Sequence, residues 1–120
     1  MKPEQAPLLD AFLKHPGYHV QISAVRALSR IDTKAARERL FAFLTGEGEG
    51  FAKVMAVWGL KRLDAREFRS RLEAFYPNAP TEETGFGGNI MDPRVGTSFP
   101  DSVKHAVGQL IEHWGGKLPG

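Results

Sequence analysis

VQISAVRALSRIDTKAARERLFAFL, residues 20–44, returns with changes as AKVMAVWGLKRLDAREFRSRLEAFY at residues 52–76. The register between the two copies is 32 residues without a gap, and ten of the twenty-five paired positions are identical, among them Ala24/Ala56, Leu28/Leu60, Arg30/Arg62, Asp32/Asp64, Arg37/Arg69 and Leu40/Leu72. Charges recur along with apolar residues, so the match is more than shared hydrophobicity. A fixed period of this length is the mark of stacked repeats, in which each unit hides its apolar face against its neighbour.

Each copy reads as two helices. In the first, Val20, Ala24, Ala27, Leu28 and Ile31 fall on one side at 100° per residue, with Ser23, Arg26 and Arg30 opposite. Asp32 and Asp64 are expected to stop this helix and cap the next, and DARE at 64–67 has the spacing of a capping box. The second helix is expected to bury Ala36, Leu40, Phe43 and Leu44 in one copy and Phe68, Leu72, Phe75 and Tyr76 in the other. LFAFL at 40–44 has near copies in LDAFL at 9–13 and LEAFY at 72–76, which places leucine and phenylalanine on the inner face. The alanine between them is expected on the flank, where a small side chain lets a neighbouring helix approach.

The A-V-x-x-L-x-R-[IL]-D core with its L-x-A-F close resembles the HEAT repeat, in particular the short bacterial form named for phycobilisome-lyase-like proteins. The likeness implies an all-α chain folded as an α-α superhelix, HEAT/armadillo-like. Two full helical pairs, about 20–44 and 52–76, would be flanked by half repeats at about 5–14 and 100–114. The chain departs from that pattern at Val20–Gln21 and Ala52–Lys53, where a valine-arginine pair is usual. In the C-terminal half repeat, Val103, Ala106, Val107, Leu110, Ile111 and Trp114 form one stripe, with Asp101 or Ser98 near its start and Gly115–Gly116 after its end. The prolines and glycines of 77–99 forbid a long regular element there and leave an irregular loop.

Composition narrows the chemistry. At 120 residues with a net charge of +2, the chain is the size of one domain, and its whole-molecule field selects no partner. Without cysteine there is no disulfide scaffold, zinc ribbon or thiol nucleophile. The start MKPEQAPLLD lacks a secretory apolar run and no stretch has membrane-spanning length, so a cytoplasmic protein without membrane contact is expected. GFGG at 85–88 lacks the lysine and helix of a phosphate loop. His15 and His19 are split by Pro16–Gly17, and His105 and His113 lie more than two turns apart, which disfavours a metal site. No catalytic, metal or cofactor residue is assigned, and the expectation is a non-enzyme.

The cations carry the functional expectation. Residues 26–71 hold eleven lysines and arginines against six acids. Lys34/Arg66 and Arg37/Arg69 sit at equivalent positions of the second helices, which the resemblance places on the concave surface. Stacked columns of this kind would take acidic side chains or phosphates. A competing reading pairs them internally, Arg69 with Glu73 and Lys34 with Glu38. Trp58 replaces Arg26 on the outer side of its helix and is either covered by Phe86, Ile90 or Phe99 of the loop or anchors a partner. The resulting expectation is a protein-binding adaptor or scaffold, its partner acidic, with contacts at Lys34, Arg37, Arg66, Arg69 and Trp58. Nucleic-acid binding by the same columns, as in HEAT-like DNA glycosylases, is the alternative, and a bilin lyase subunit rests on repeat similarity alone. Open apolar ends further suggest a homo-oligomer.

Overall fold

In a computed structural model of the chain, the described residues are 9–48, 50–81, 91–92, 97–98 and 102–118. The helices are α1 (Asp10–Leu13), α2 (Tyr18–Leu28), α3 (Lys34–Thr45), α4 (Gly50–Arg62), α5 (Arg69–Phe75) and α6 (Val103–His113). Short 3-10 turns at Arg66–Phe68 and Tyr76–Asn78 bracket α5. Among the described residues the elements are helical apart from one minimal pairing, in which β1 (Met91–Asp92) runs antiparallel to β2 (Thr97–Ser98), Met91 opposite Ser98. The rest of the expected 77–99 loop lies mostly outside the described residues, as do Phe86, Ile90 and Phe99 and the GFGG stretch.

In the first copy α2 packs against α3, whereas in the second α5 packs against α6, and α4 is the central helix. It packs against α2, α3 and α6, and Ala52, Val54, Ala56, Val57, Gly59 and Leu60 are buried around most of its circumference. A helix covered on several sides loses the one-sided pattern of a surface helix. At Gly59 a Cβ would stand 2.9 Å from the Ser29 Cβ and 3.2 Å from Leu40 Cδ1. This glycine, rather than the alanines of the repeated phrase, sets the close approach of neighbours. Ala11, Ala42 and Ala74 are exposed, contrary to the expectation for them.

Other expectations shift by small amounts. In α2 the buried face is Gln21, Ala24, Val25 and Leu28, with Val20 and Ala27 only partly covered. Ala36, Leu40, Phe43 and Leu44 of α3 are buried as expected, and so are all six apolar positions of the α6 stripe. Phe68 and Leu72 are buried, while Phe75 and Tyr76 pack at the margin of the core. The N-terminal copy of the phrase diverges: Leu9 and Leu13 are buried but Phe12 is 49% exposed on a helix of a single turn.

The junctions between paired helices do not use the expected aspartates. Thr33 is the N-cap of α3, its hydroxyl accepting from the Ala36 N–H at 3.2 Å. The equivalent of Thr33 is Ala65, which has no oxygen to offer. There the chain turns at Asp64 with φ 53°, and the amides of Asp64 and Ala65 donate to Lys61 O and Leu60 O, closing a Schellman motif at the end of α4. Asp64 therefore ends a helix instead of starting one, and the next begins in 3-10 geometry. At α6 the cap is Ser102, whose hydroxyl accepts from His105 N–H. Gly115, at φ 80°, repeats the Schellman closure with Gly116 bonded to Ile111 O.

Candidate functional site

The repeated arginines of the second helices are engaged in holding the units together. Arg37, on α3, donates from Nε and Nη2 to Asp32 Oδ1 at 3.1 and 2.8 Å, from Nη1 to both oxygens of Glu67 at 3.0 and 2.9 Å, and from Nη2 to Leu63 O at 2.8 Å. Leu63 follows the last residue of α4, so the guanidinium satisfies a free carbonyl at that helix end. Arg69 makes the equivalent bond one unit on, from Nη1 to the C-cap carbonyl of α6, Trp114 O, at 3.2 Å, with Glu73 at 4.0 Å. The Glu67 bonds, with Asp32 adding to them against the cost of burial, raise the Arg37 pKa further. Burial opposes ionisation of Glu67, yet the Arg37 bonds hold it below its ordinary value.

Arg39 and Arg71, also equivalent, reach back to the preceding second helix. Arg39 Nε donates to Asp10 Oδ1 at 2.9 Å, and Arg71 lies 3.3 Å from Glu38 Oε1. The Arg71 guanidinium also sits 4.3 Å from the Phe68 ring centre and 5.1 Å from that of Phe41, the two rings being stacked 4.9 Å apart. Arg66, expected in the contact face, binds Asp64 at 2.8 Å on the surface and holds that carboxyl below its usual range. The indole N–H of Trp114 adds a smaller pull on Asp64 without making a hydrogen bond. Glu38 is taken by Arg71 rather than by Lys34, which is exposed. The internally paired reading thus describes Arg37, Arg66 and Arg69, and the structure does not gather them with Lys34 into a free column.

Trp58 lies on a different surface, among cations the sequence reading left aside. Between α2 and α4 a cleft of about 310 Å³ is lined by Arg26, Ser29, Arg30, Met55, Trp58 and Arg62, with Gly59 at the helix contact. Arg26 and Trp58 are repeat equivalents, as are Arg30 and Arg62. The cleft is therefore walled by three guanidiniums and an indole, Arg26 and, just past the end of α2, Arg30 on one side, and Trp58 and Arg62 of α4 on the other. Arg26, Arg30 and Arg62 are exposed and Trp58 is half-buried. Among the described residues, no carboxylate pairs with these three arginines. The Ser29 hydroxyl donates to Arg26 O at 2.7 Å, which fixes the helix end beneath them.

A signal for this cleft was present in the sequence. Residues 11–31 and 50–63 contain no aspartate or glutamate, so Arg26 has no acid at helical spacing, and the aspartates two residues beyond Arg30 and Arg62 are taken by Arg37 and Arg66. Among the described residues no group of histidines and acids has the makings of a metal site, and no helix is long and apolar enough to cross a membrane. No protein-family model, curated protein or solved structure matches the chain.

Proposed function

We propose that this chain is a non-catalytic protein-binding adaptor built as a short HEAT-like α-α superhelix, and that it meets its partner through the outer face of α2 and α4. A 32-residue register that recurs in helical elements, with the equivalent arginines Arg37 and Arg69 each bound to the end of the next first helix, supports the architectural half of the reading. The unpaired guanidiniums of Arg26, Arg30 and Arg62 around Trp58 carry the functional half. Arginine and tryptophan are the side chains that most often concentrate binding energy at an interface. Ser29, the lone hydroxyl in the cleft lining, is committed to a backbone carbonyl and has no base beside it in that lining, which favours binding over nucleophilic chemistry. Relative to the expected concave columns, the contact face moves to the first helices, and Trp58 stays within it.

Arginine beside an indole also suits nucleic acid, so the test separates the two. The wild-type chain, Arg30→Glu/Arg62→Glu and Arg66→Glu are compared for retention of a partner from native lysate and for binding of duplex DNA across a salt series. The adaptor reading predicts a protein retained by wild type and R66E and lost by the double variant, with negligible DNA binding. Steeply salt-dependent DNA binding that the double variant abolishes replaces it with the nucleic-acid reading.

A further inference from the structure

Resting on the protein-binding reading, we infer that the α2–α4 cleft recognises a short acidic peptide segment in which a carboxylate side chain stands beside an aromatic or large aliphatic one. The cleft has two chemically different halves. Arg26, Arg30 and Arg62 offer planar donor forks, the geometry that binds carboxylate through paired hydrogen bonds. Met55 and Trp58 offer an adaptable thioether and a flat ring, a wall for an apolar side chain. The contact of Gly59 with Ser29 brings the helix axes together beneath these groups, so the two halves face one ligand rather than two.

Size and the spread of charge favour a short peptide over a duplex. At about 310 Å³ the cleft is at the small end of ligand sites, with room for a few side chains. The cationic run also stops within two helices. When Ala106, Val107 and Leu110 are set on Ala56, Val57 and Leu60, the α6 residue that follows Arg30 and Arg62 is the exposed Glu112. On the second helices Arg37, Arg39, Arg66 and Arg71 are already neutralised by acids. A duplex would need cations along several successive phosphates, whereas one or two carboxylates match what the cleft supplies. Arg26 near the end of α2 and Arg30 two residues past that end place like charges on one side of the cleft, and an anion between them offsets their repulsion.

The test is a titration of the isotopically labelled full chain, followed by amide and indole NMR shifts. The probe is a Gly/Ser peptide carrying Glu-Phe-Glu, and the comparison probes are Gln-Phe-Gln, Glu-Ser-Glu and an oligothymidine. Shifts confined to Arg26, Ser29, Met55, Trp58 and Arg62 are expected, with a Kd of about 0.1–1 mM. Either change in the peptide should weaken binding severalfold. Arg30→Glu/Arg62→Glu should weaken it roughly tenfold or more, Arg30→Gln/Arg62→Gln less, and Arg66→Glu not at all. Shifts clustered instead around Arg39 and Asp10 overturn the cleft assignment but leave the adaptor reading standing. An absence of shifts with every peptide overturns the inference, and the lysate comparison then decides the adaptor reading separately. Oligothymidine binding in the cleft at lower concentration than the peptide overturns both.

Discussion

Arg37 ties the start of its own helix to the next unit, binding Asp32 five residues before it, Glu67 in that unit and the carbonyl of Leu63 just past the end of α4. Its side chain is 21% exposed, so these bonds form partly out of water, where charge-assisted donors contribute more than on an open surface. Arg37→Ala is expected to lower the unfolding free energy by about 2 kcal/mol, against less than about 0.5 kcal/mol for Arg66→Ala at its exposed pair, both read from urea transitions. Glu67 adds a pH dependence of definite sign. Its folded pKa lies below 4.5, so the stabilisation is complete above that pH and is lost as pH falls through the depressed value. Glu67→Gln should therefore be less stable than wild type at neutral pH and show a shallower loss on acidification. Equal acid slopes in the two proteins would remove Glu67 from this role.

Between helices, a single difference decides how each junction is built. The sequence presents the same aspartate at 32 and 64, and capping chemistry alone makes each a reasonable start for the following helix. The residue after it determines the outcome. Thr33 supplies a hydroxyl and takes the cap, freeing Asp32 for Arg37, whereas Ala65 cannot, and Asp64 adopts the left-handed conformation that closes α4. Aspartate tolerates that conformation better than most residues but less well than glycine. Thr33→Ala should cost about 1 kcal/mol, while Asp64→Gly should raise stability by roughly 0.5–1 kcal/mol. Thermal unfolding of both variants checks this, and a destabilised Asp64→Gly would show that the Arg66 pair matters more than the backbone. The helices were legible because apolar spacing survives in both copies. Their joints were not, because competing caps stood side by side.

Across the whole molecule, arginines that recur in register have separate roles on the first and the second helices. Positions kept in register, such as Arg37/Arg69 and Arg39/Arg71, lie where one unit meets the next, so their recurrence reflects stacking. Equivalence shows that a side chain has the same task in each unit without saying what the task is, and here Arg37 and Arg69 both bind a carbonyl at a helix end. The cleft includes a position where the copies part, Arg26 against Trp58, beside Arg30 and Arg62, whose neighbouring aspartates are taken by Arg37 and Arg66. Urea unfolding of two triple variants tests this division most directly. Arg37→Ala/Arg39→Ala/Arg71→Ala is expected to lose about 3 kcal/mol or more, while Arg26→Ala/Arg30→Ala/Arg62→Ala stays within about 1 kcal/mol of wild type. Equal losses in the two, or a larger loss from the first-helix set, would contradict the assignment of one group of arginines to architecture and the other to recognition.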